Sequence, residues 1–150
     1  MNDSKLRELL IGIKENQISV EEGLEQLKEL PYEDLGFAKV DHHRQLRQGF
    51  PEVIYSAGKT PEQVALIAER LAAKADRNII ATRANYETYK AVQTKIPEAE
   101  YFDVARIILI RRGKQERRGH ILVVSAGTSD LPVAEEAAIT AEAMGNRVER

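Results

Sequence analysis

HILVVSAGTSDLPVAEEAAITAEAMGNRVER, His120–Arg150, decides the fold class. Ile121–Val124 is an unbroken apolar run, the pattern of a central parallel strand buried on both faces. SAGTSD, Ser125–Asp130, is a loop of small and hydroxylated residues. Beyond it, Val133, Ala134, Ala137, Ala138, Ala141 and Met144 lie on one side of a helix, with Gly145 and Asn146 suited to its C-cap. Val148 then reads as the first apolar residue of another strand. A strand, a loop and a helix in that order imply a βα unit of a parallel sheet. Such a unit cannot close its own sheet, and the alanine-rich helix face needs something to cover. The expectation is therefore that 150 residues are the N-terminal portion of a longer protein, and that the last helix lacks its own sheet.

Upstream, the same alternation recurs. Thr60, Pro61 and Gln63 supply an N-cap, an N1 proline and a capping-box partner. Val64, Ile67, Ala68, Leu71 and Ala75 continue as a helix. Ile79–Thr82 reads as a buried strand, Tyr86, Tyr89, Val92 and Ile96 as a helix stopped by Pro97, and Tyr101–Ile110 as a strand. Short strands are expected near 37–42 and 52–56, punctuated by Gly49, Pro51 and Gly58. Two helices open the chain: Leu6, Leu9, Leu10 and Ile13 with Ser4 placed to cap, then Val20, Leu24, Leu27 and Leu30 behind the capping box Ser19–Glu22, ended by Pro31.

The expected fold class is α/β. A helical hairpin spans 1–31, a mixed α/β domain 32–112 and a linker 113–119. The first β-α unit of a flavodoxin-type parallel sheet spans 120–150. The unit ending at Ile110 is expected to be distinct from the one beginning near His120.

Composition narrows the function. Lys and Arg number 22 against 24 Asp and Glu, a net charge of −2, which does not suit a general nucleic-acid binder. The basic run Arg106, Arg111, Arg112, Lys114, Arg117, Arg118 has no interleaved aromatic on which a base would stack. Cysteine is absent, which removes disulfides, thiolate metal sites and a cysteine nucleophile from this chain. No apolar run is long enough to span a membrane. Charges within the first ten residues leave no signal-peptide core, and a cytoplasmic protein is expected.

Three constellations are candidates for chemistry. The first is the 125–130 loop, where a helix N-terminus at the carboxyl end of a strand favours an anion. Gly127 admits close backbone approach, Thr128 and Ser129 offer hydroxyls, and Asp130 is placed to cap the helix or hold a ribose hydroxyl. Neither GxGxxG nor GxxxxGK[ST] is present. Simple capping by Ser129 or Asp130 is an equal reading. The second is Lys39, Asp41, His42, His43, Arg44 and Arg47, with Glu52 and Lys59. Adjacent histidines on a strand point to opposite faces, so no metal site is expected. The segment reads either as a charged strand edge or as a cationic grip on carboxylate or phosphate. The third is a triad around Ser125 or Ser129, for which no GxSxG elbow exists.

Together YEDLGFAKVDHHRQLRQGFPEVIYSAGKTPEQ (32–63), ATRA (81–84) and ILVVSAGTSDLPVAEEAAITAEAMGN (121–146) resemble the LarB family. These are nickel pincer cofactor biosynthesis proteins related to the PurE aminoimidazole ribonucleotide carboxylases and mutases. The resemblance runs from Tyr32 onward. It implies a PurE-like domain beginning near His120, whose GSxSD ligand loop is matched only in part by Gly127–Asp130. It also implies carboxylation of the pyridinium ring of nicotinic acid adenine dinucleotide with CO2 or bicarbonate, and phosphoanhydride hydrolysis releasing AMP. The product is pyridinium-3,5-biscarboxylic acid mononucleotide. On this reading Asp130 is the catalytic candidate. Ser125, Gly127, Thr128, Ser129, Lys39, Asp41, Arg44, Arg47 and Lys59 are the substrate-binding candidates. No resident cofactor is expected; magnesium would enter with the substrate, and nickel is not expected to bind. Expected partners are the dinucleotide and CO2 or bicarbonate, with a homo-oligomer formed through the PurE-like domain, and neither nucleic acid nor membrane. The family cysteine that activates the pyridinium lies further toward the C-terminus and is not in this chain, so this portion alone is expected to be inactive. The rival readings are a non-catalytic nucleotide-binding or assembly module and a PurE-type purine-biosynthesis enzyme.

Overall fold

The computed structural model describes residues 3–28, 32–41, 44, 52–113 and 119–150, in two compact units, Met1–Glu52 and Val53–Arg150. The boundary falls inside segment 32–112.

In the first unit, helices α1 (Asp3–Lys14) and α2 (Val20–Lys28) pack together. The box at α2 is present: the Glu22 carboxylate accepts from the Ser19 amide at 2.9 Å, and Ser19 Oγ accepts from the Glu22 amide at 3.1 Å. Ser4 does not cap α1; it lies within the helix, its hydroxyl 3.2 Å from Glu8. Pro31 lies outside the described residues, and α2 ends at Lys28. A strand that the sequence reading missed, β1 (Tyr32–Asp34), pairs antiparallel with β2 (Lys39–Asp41). Three residues show too little alternation to stand out. The turn gives it away: Gly36 has φ +81° and donates to Asp34 Oδ1 at 2.8 Å. Phe37 lies in that turn, exposed, rather than in a strand.

The second unit holds a four-stranded sheet, ordered β3 (Ile54–Tyr55), β4 (Ile79–Thr82), β6 (Ile107–Ile110), β5 (Glu100–Phe102). β3 and β4 are parallel, and the other pairs antiparallel. Helix α3 (Pro61–Lys74) makes the crossover and carries the expected capping box at Thr60 and Gln63. Helix α4 (Tyr86–Lys95) is capped by Asn85, whose Oδ1 accepts from the Thr88 amide at 2.8 Å. The single strand expected over Tyr101–Ile110 is instead a hairpin. Asp103–Arg106 form the turn, with Arg106 at φ +54° and its N–H bonded to Asp103 O.

β7 (Gly119–Leu122) and β8 (Asn146–Glu149) form a separate parallel pair, joined by α5 (Leu131–Ala143). Here the sequence reading needs two corrections. The run Ile121–Val124 is not buried: Ile121, Leu122 and Val124 are 37%, 65% and 80% exposed, because among the described residues β7 has only β8 as a neighbour. The small-residue face of α5 is not left bare either. Ile139 and Ala143 are buried against Ile80, Ala105, Ile107 and Leu109, with Val53, Phe102 and Met144 around them, and Ala138 is buried as well. The four-stranded sheet supplies the cover that the sequence seemed to lack, and 120–150 belongs to the same compact unit as that sheet.

Both faces of the sheet are filled, since the alternate residues Ile79, Ala81, Ile108 and Ile110 are buried as well. Asn78 fastens α5 to this body. It is buried, its amide donates to Ala143 O at 2.9 Å, and its oxygen accepts from the Arg112 amide at 2.9 Å. One side chain thus satisfies a last-turn carbonyl and an amide just past β6. Gly145, at φ +87°, then turns the chain into β8, as the C-cap reading anticipated.

Candidate functional site

The 125–130 loop lies between β7 and α5, in the strand–loop–helix order the sequence suggests. All six residues are exposed. Asp130 occupies the N-cap position through its backbone, whose carbonyl accepts from Val133 and Ala134 at 3.1 and 2.9 Å. Its side chain makes no capping hydrogen bond, and the first turn of α5 holds no acidic residue. The capping reading of Asp130 therefore fails for the side chain and holds only for the main chain. Its N–H closes the loop onto Gly127 O at 3.0 Å. A Cβ built on Gly127 would lie 3.6 Å from both Asp130 Oδ2 and Ser129 Oγ, an ordinary contact. The fold itself tolerates a methyl there, so glycine has no purely steric role in the loop. Ser129 and Asp130 thus present two oxygens on the same side of Gly127.

The same tripeptide, Ser-Ala-Gly, follows β3 at 56–58 and leads into α3. There it closes on itself. Gly58 takes φ +79°, the Lys59 amide bonds Ser56 O at 3.0 Å, and Lys59 Nζ donates to Tyr55 O at 2.8 Å. The Ser56 hydroxyl is buried without a hydrogen-bond partner among the described residues.

The cationic constellation divides. Lys39 and Asp41 flank buried Val40 on β2, the Asp41 amide donates to Glu52 Oε2 at 2.7 Å, and Arg44 is exposed. All belong to the first unit, whereas Lys59 and Ser125–Asp130 belong to the second. Arg47, His42 and His43 lie outside the described residues. His120 is paired with Glu149 across β7 and β8, Nε2 to Oε1 2.9 Å.

Arg83 carries more than the sequence reading gave it. It follows β4 with φ +55°, a conformation costly for a side chain with a Cβ, and its guanidinium meets Glu136 of α5 at 3.1 Å. That pair lines a groove of about 470 Å³ with Ile121, Val133, Thr140 and Met144. No residue of the 125–130 loop lines the groove. The ATRA motif offered a signal for Arg83, but a left-handed arginine is invisible in composition or periodicity.

A mixed α/β body carrying a strand–loop–helix turn is the class that fold and site define. The LarB/PurE-like N-terminal domain family matches residues 32–112, and the chain belongs to that family. It is also 34% identical to an uncharacterised protein of Methanocaldococcus jannaschii, over 93% of this chain and 57% of that protein. The chain thus spans a little over half of that relative's length. The match ties it, at family level, to LarB and the PurE-type carboxylases and mutases. No helix among the described residues is long and apolar enough to cross a membrane.

Proposed function

We propose that this chain is the N-terminal part of a LarB-type synthase. The enzyme carboxylates the pyridinium ring of nicotinic acid adenine dinucleotide with CO2 or bicarbonate, displacing a ring proton, and cleaves the phosphoanhydride with water, releasing AMP. Family membership is the observation that carries the reading. The loop at 125–130 supports it, since a helix N-terminus without an acidic first turn favours phosphate.

Asp130 cannot attract phosphate itself. Unengaged as a cap, its carboxylate is available to hold a ribose hydroxyl or to orient the water that attacks the anhydride. Thr128 and Ser129 supply hydroxyl donors to the same ligand. Lys59, in the same unit as the loop, is the cationic partner proposed for the rest of the dinucleotide. The pyridinium-activating cysteine implied by the resemblance is not among these residues, so the carboxylation step is not assigned to this chain alone.

The test measures AMP release from the dinucleotide with bicarbonate. It uses this chain alone and a longer version that includes the cysteine-bearing remainder. The longer protein releases AMP and this chain alone does not. In the longer protein Asp130→Asn cuts turnover at least about tenfold, equal to about 1.4 kcal/mol of barrier, and Thr128→Ala chiefly weakens binding. A longer protein that binds the dinucleotide and never turns it over refutes the enzyme reading in favour of a binding module. Turnover of a carboxyaminoimidazole ribonucleotide in its place favours the PurE-type reading.

A further inference from the structure

The helical hairpin of the first unit packs along a seam of glycines. Gly12 comes close to Ile18 and Gly23 to Ile13, which runs α1 and α2 antiparallel about the loop 15–19. Both glycines are buried, and a Cβ built on Gly12 would stand 2.8 Å from Ile18 Cδ1. Such a seam brings the backbones together and buries little apolar surface. Of the large apolar side chains described on the two helices, Leu9 alone is buried.

The remaining apolar residues fall into two stripes. Leu6, Leu10 and Ile13 recur at i, i+4 and i+7 along α1, and Val20 and Leu24 at i and i+4 along α2. Leu10 follows buried Leu9 and Leu24 follows buried Gly23, each one step of about 100° round its helix. In antiparallel helices the same step away from the line of contact leads to the same side. The stripes therefore form one face of the hairpin. That face is open: Leu10, Val20 and Leu24 are 55%, 57% and 54% exposed, and Leu6 and Ile13 are half-buried. Ile11, a further step round α1, lies off it.

Charge says what can cover this face. By helical spacing Arg7 and Lys14 flank the stripe of α1, and Glu21 flanks that of α2. None of the three has an ion pair among the described residues, while Glu22 is engaged at the Ser19 cap. A two-fold axis parallel to the helices sets α1 of one copy antiparallel against α2 of another. Leu10 then meets Leu24, and Lys14 meets Glu21, once on each side of the axis. A two-fold axis across the helices would instead set α1 on α1 and bring the Arg7 and Lys14 charges of both copies together. The size of the unit points the same way. Units below about 70 residues commonly draw on disulfides, a metal or oligomerisation. Met1–Glu52 has no cysteine, and the described residues hold no cluster of metal-ligating side chains.

We infer that the α1–α2 face is a self-association surface. The same face of a second copy covers it in a two-fold, four-helix arrangement, with each α1 against the other copy's α2. The hairpin lies outside residues 32–112, which carry the family match. The contact depends neither on the carboxylase reading nor on an oligomer formed through the PurE-like domain.

The experiment follows the 150-residue chain by sedimentation equilibrium over a concentration series. A monomer–dimer equilibrium is expected. Leu24→Glu raises its Kd at least about tenfold, on the scale of one buried leucine lost. Lys14→Glu and Glu21→Lys each weaken the dimer, and the two together restore it. Leu122→Lys, in the other unit, leaves it unchanged. Circular dichroism and thermal melts confirm that each variant is folded. The chain has no cysteine, so the pairing is read directly: a mixture of Leu10→Cys and Leu24→Cys chains gives the mixed disulfide in preference to either self-linked product. A chain monomeric to about 1 mM overturns the inference, whether the rest of the chain or another protein then covers the face. So does a dimer that persists in folded Leu24→Glu, a dimer lost in Leu122→Lys, or self-linked Leu10→Cys as the main product. Because no turnover is read, failure here and failure of the enzymatic proposal are separate results.

Discussion

Asn78→Ala is the sharpest probe of how the last helix is held. The substitution deletes two hydrogen bonds at once, to Ala143 O and from the Arg112 amide. A typical intramolecular hydrogen bond contributes about 1 kcal/mol net, but a buried group left unsatisfied costs about 1–3 kcal/mol. The Ala143 carbonyl sits in a buried residue, whereas the Arg112 amide is partly reachable by water, so the losses are unequal. A destabilisation of about 2–4 kcal/mol is expected. For a domain of this size that lowers Tm by roughly 10–25 °C. Asn78→Asp separates the two bonds. It keeps the acceptor for Arg112 and places a carboxylate against a carbonyl at the negative end of α5. Its folded-state pKa is then raised, so the native state binds more protons than the unfolded one, and stability falls as pH rises from about 4 upward. Below that range the protonated acid again donates to Ala143. The assay is denaturant unfolding of each variant across pH, with hydrogen exchange over Leu131–Ala143. Wild-type stability in Asn78→Ala, or an Asn78→Asp variant insensitive to pH, refutes the clamp.

Other perturbations follow from the same contacts. Ile139→Ala should cost about 2–5 kcal/mol if α5 is seated on Ile80, Ile107 and Leu109; a loss under about 0.5 kcal/mol by chemical denaturation contradicts that seat. Arg83→Gly should be about 1 kcal/mol more stable than Arg83→Ala, since both lose the Glu136 pair and only glycine is at ease at φ +55°; equal stabilities refute the strain. Ser56→Ala removes an unpartnered buried hydroxyl and should be neutral or stabilising in a thermal melt. The Ser19 amide holds the Glu22 carboxyl below the usual carboxylate range. Helix α2 should therefore keep its capped start through the usual carboxylate range and fray only as pH falls below it, through the lowered Glu22 pKa, read from the Ser19 amide resonance.

Periodicity carried most of the fold. The helix behind Thr60 and the strand Ile79–Thr82 are visible because capping chemistry and burial are local properties. The hairpin within 100–110 was hidden by a turn at a left-handed arginine, where a reader looks for glycine or asparagine. The cover of α5 was hidden for a different reason. Which sheet a helix packs on is a long-range choice, and a β-α-β segment alone suggests only its own strands. The candidate loop at 125–130 was legible as strand, small residues and helix. That the Asp130 side chain makes no cap was not, because Asn, Asp, Ser and Thr at such a position all promise one.

The β7–β8 ribbon has a consequence for how the molecule behaves in concentrated solution. Its β8 side carries Arg147, Glu149 and Arg150, charges that discourage another chain from zipping alongside. Its β7 side offers Leu122 and Val124 to solvent and, among the described residues, no further strand partner. Intermolecular growth at high concentration should therefore start along β7, and a lysine at position 122 or 124 should act as a gatekeeper against it.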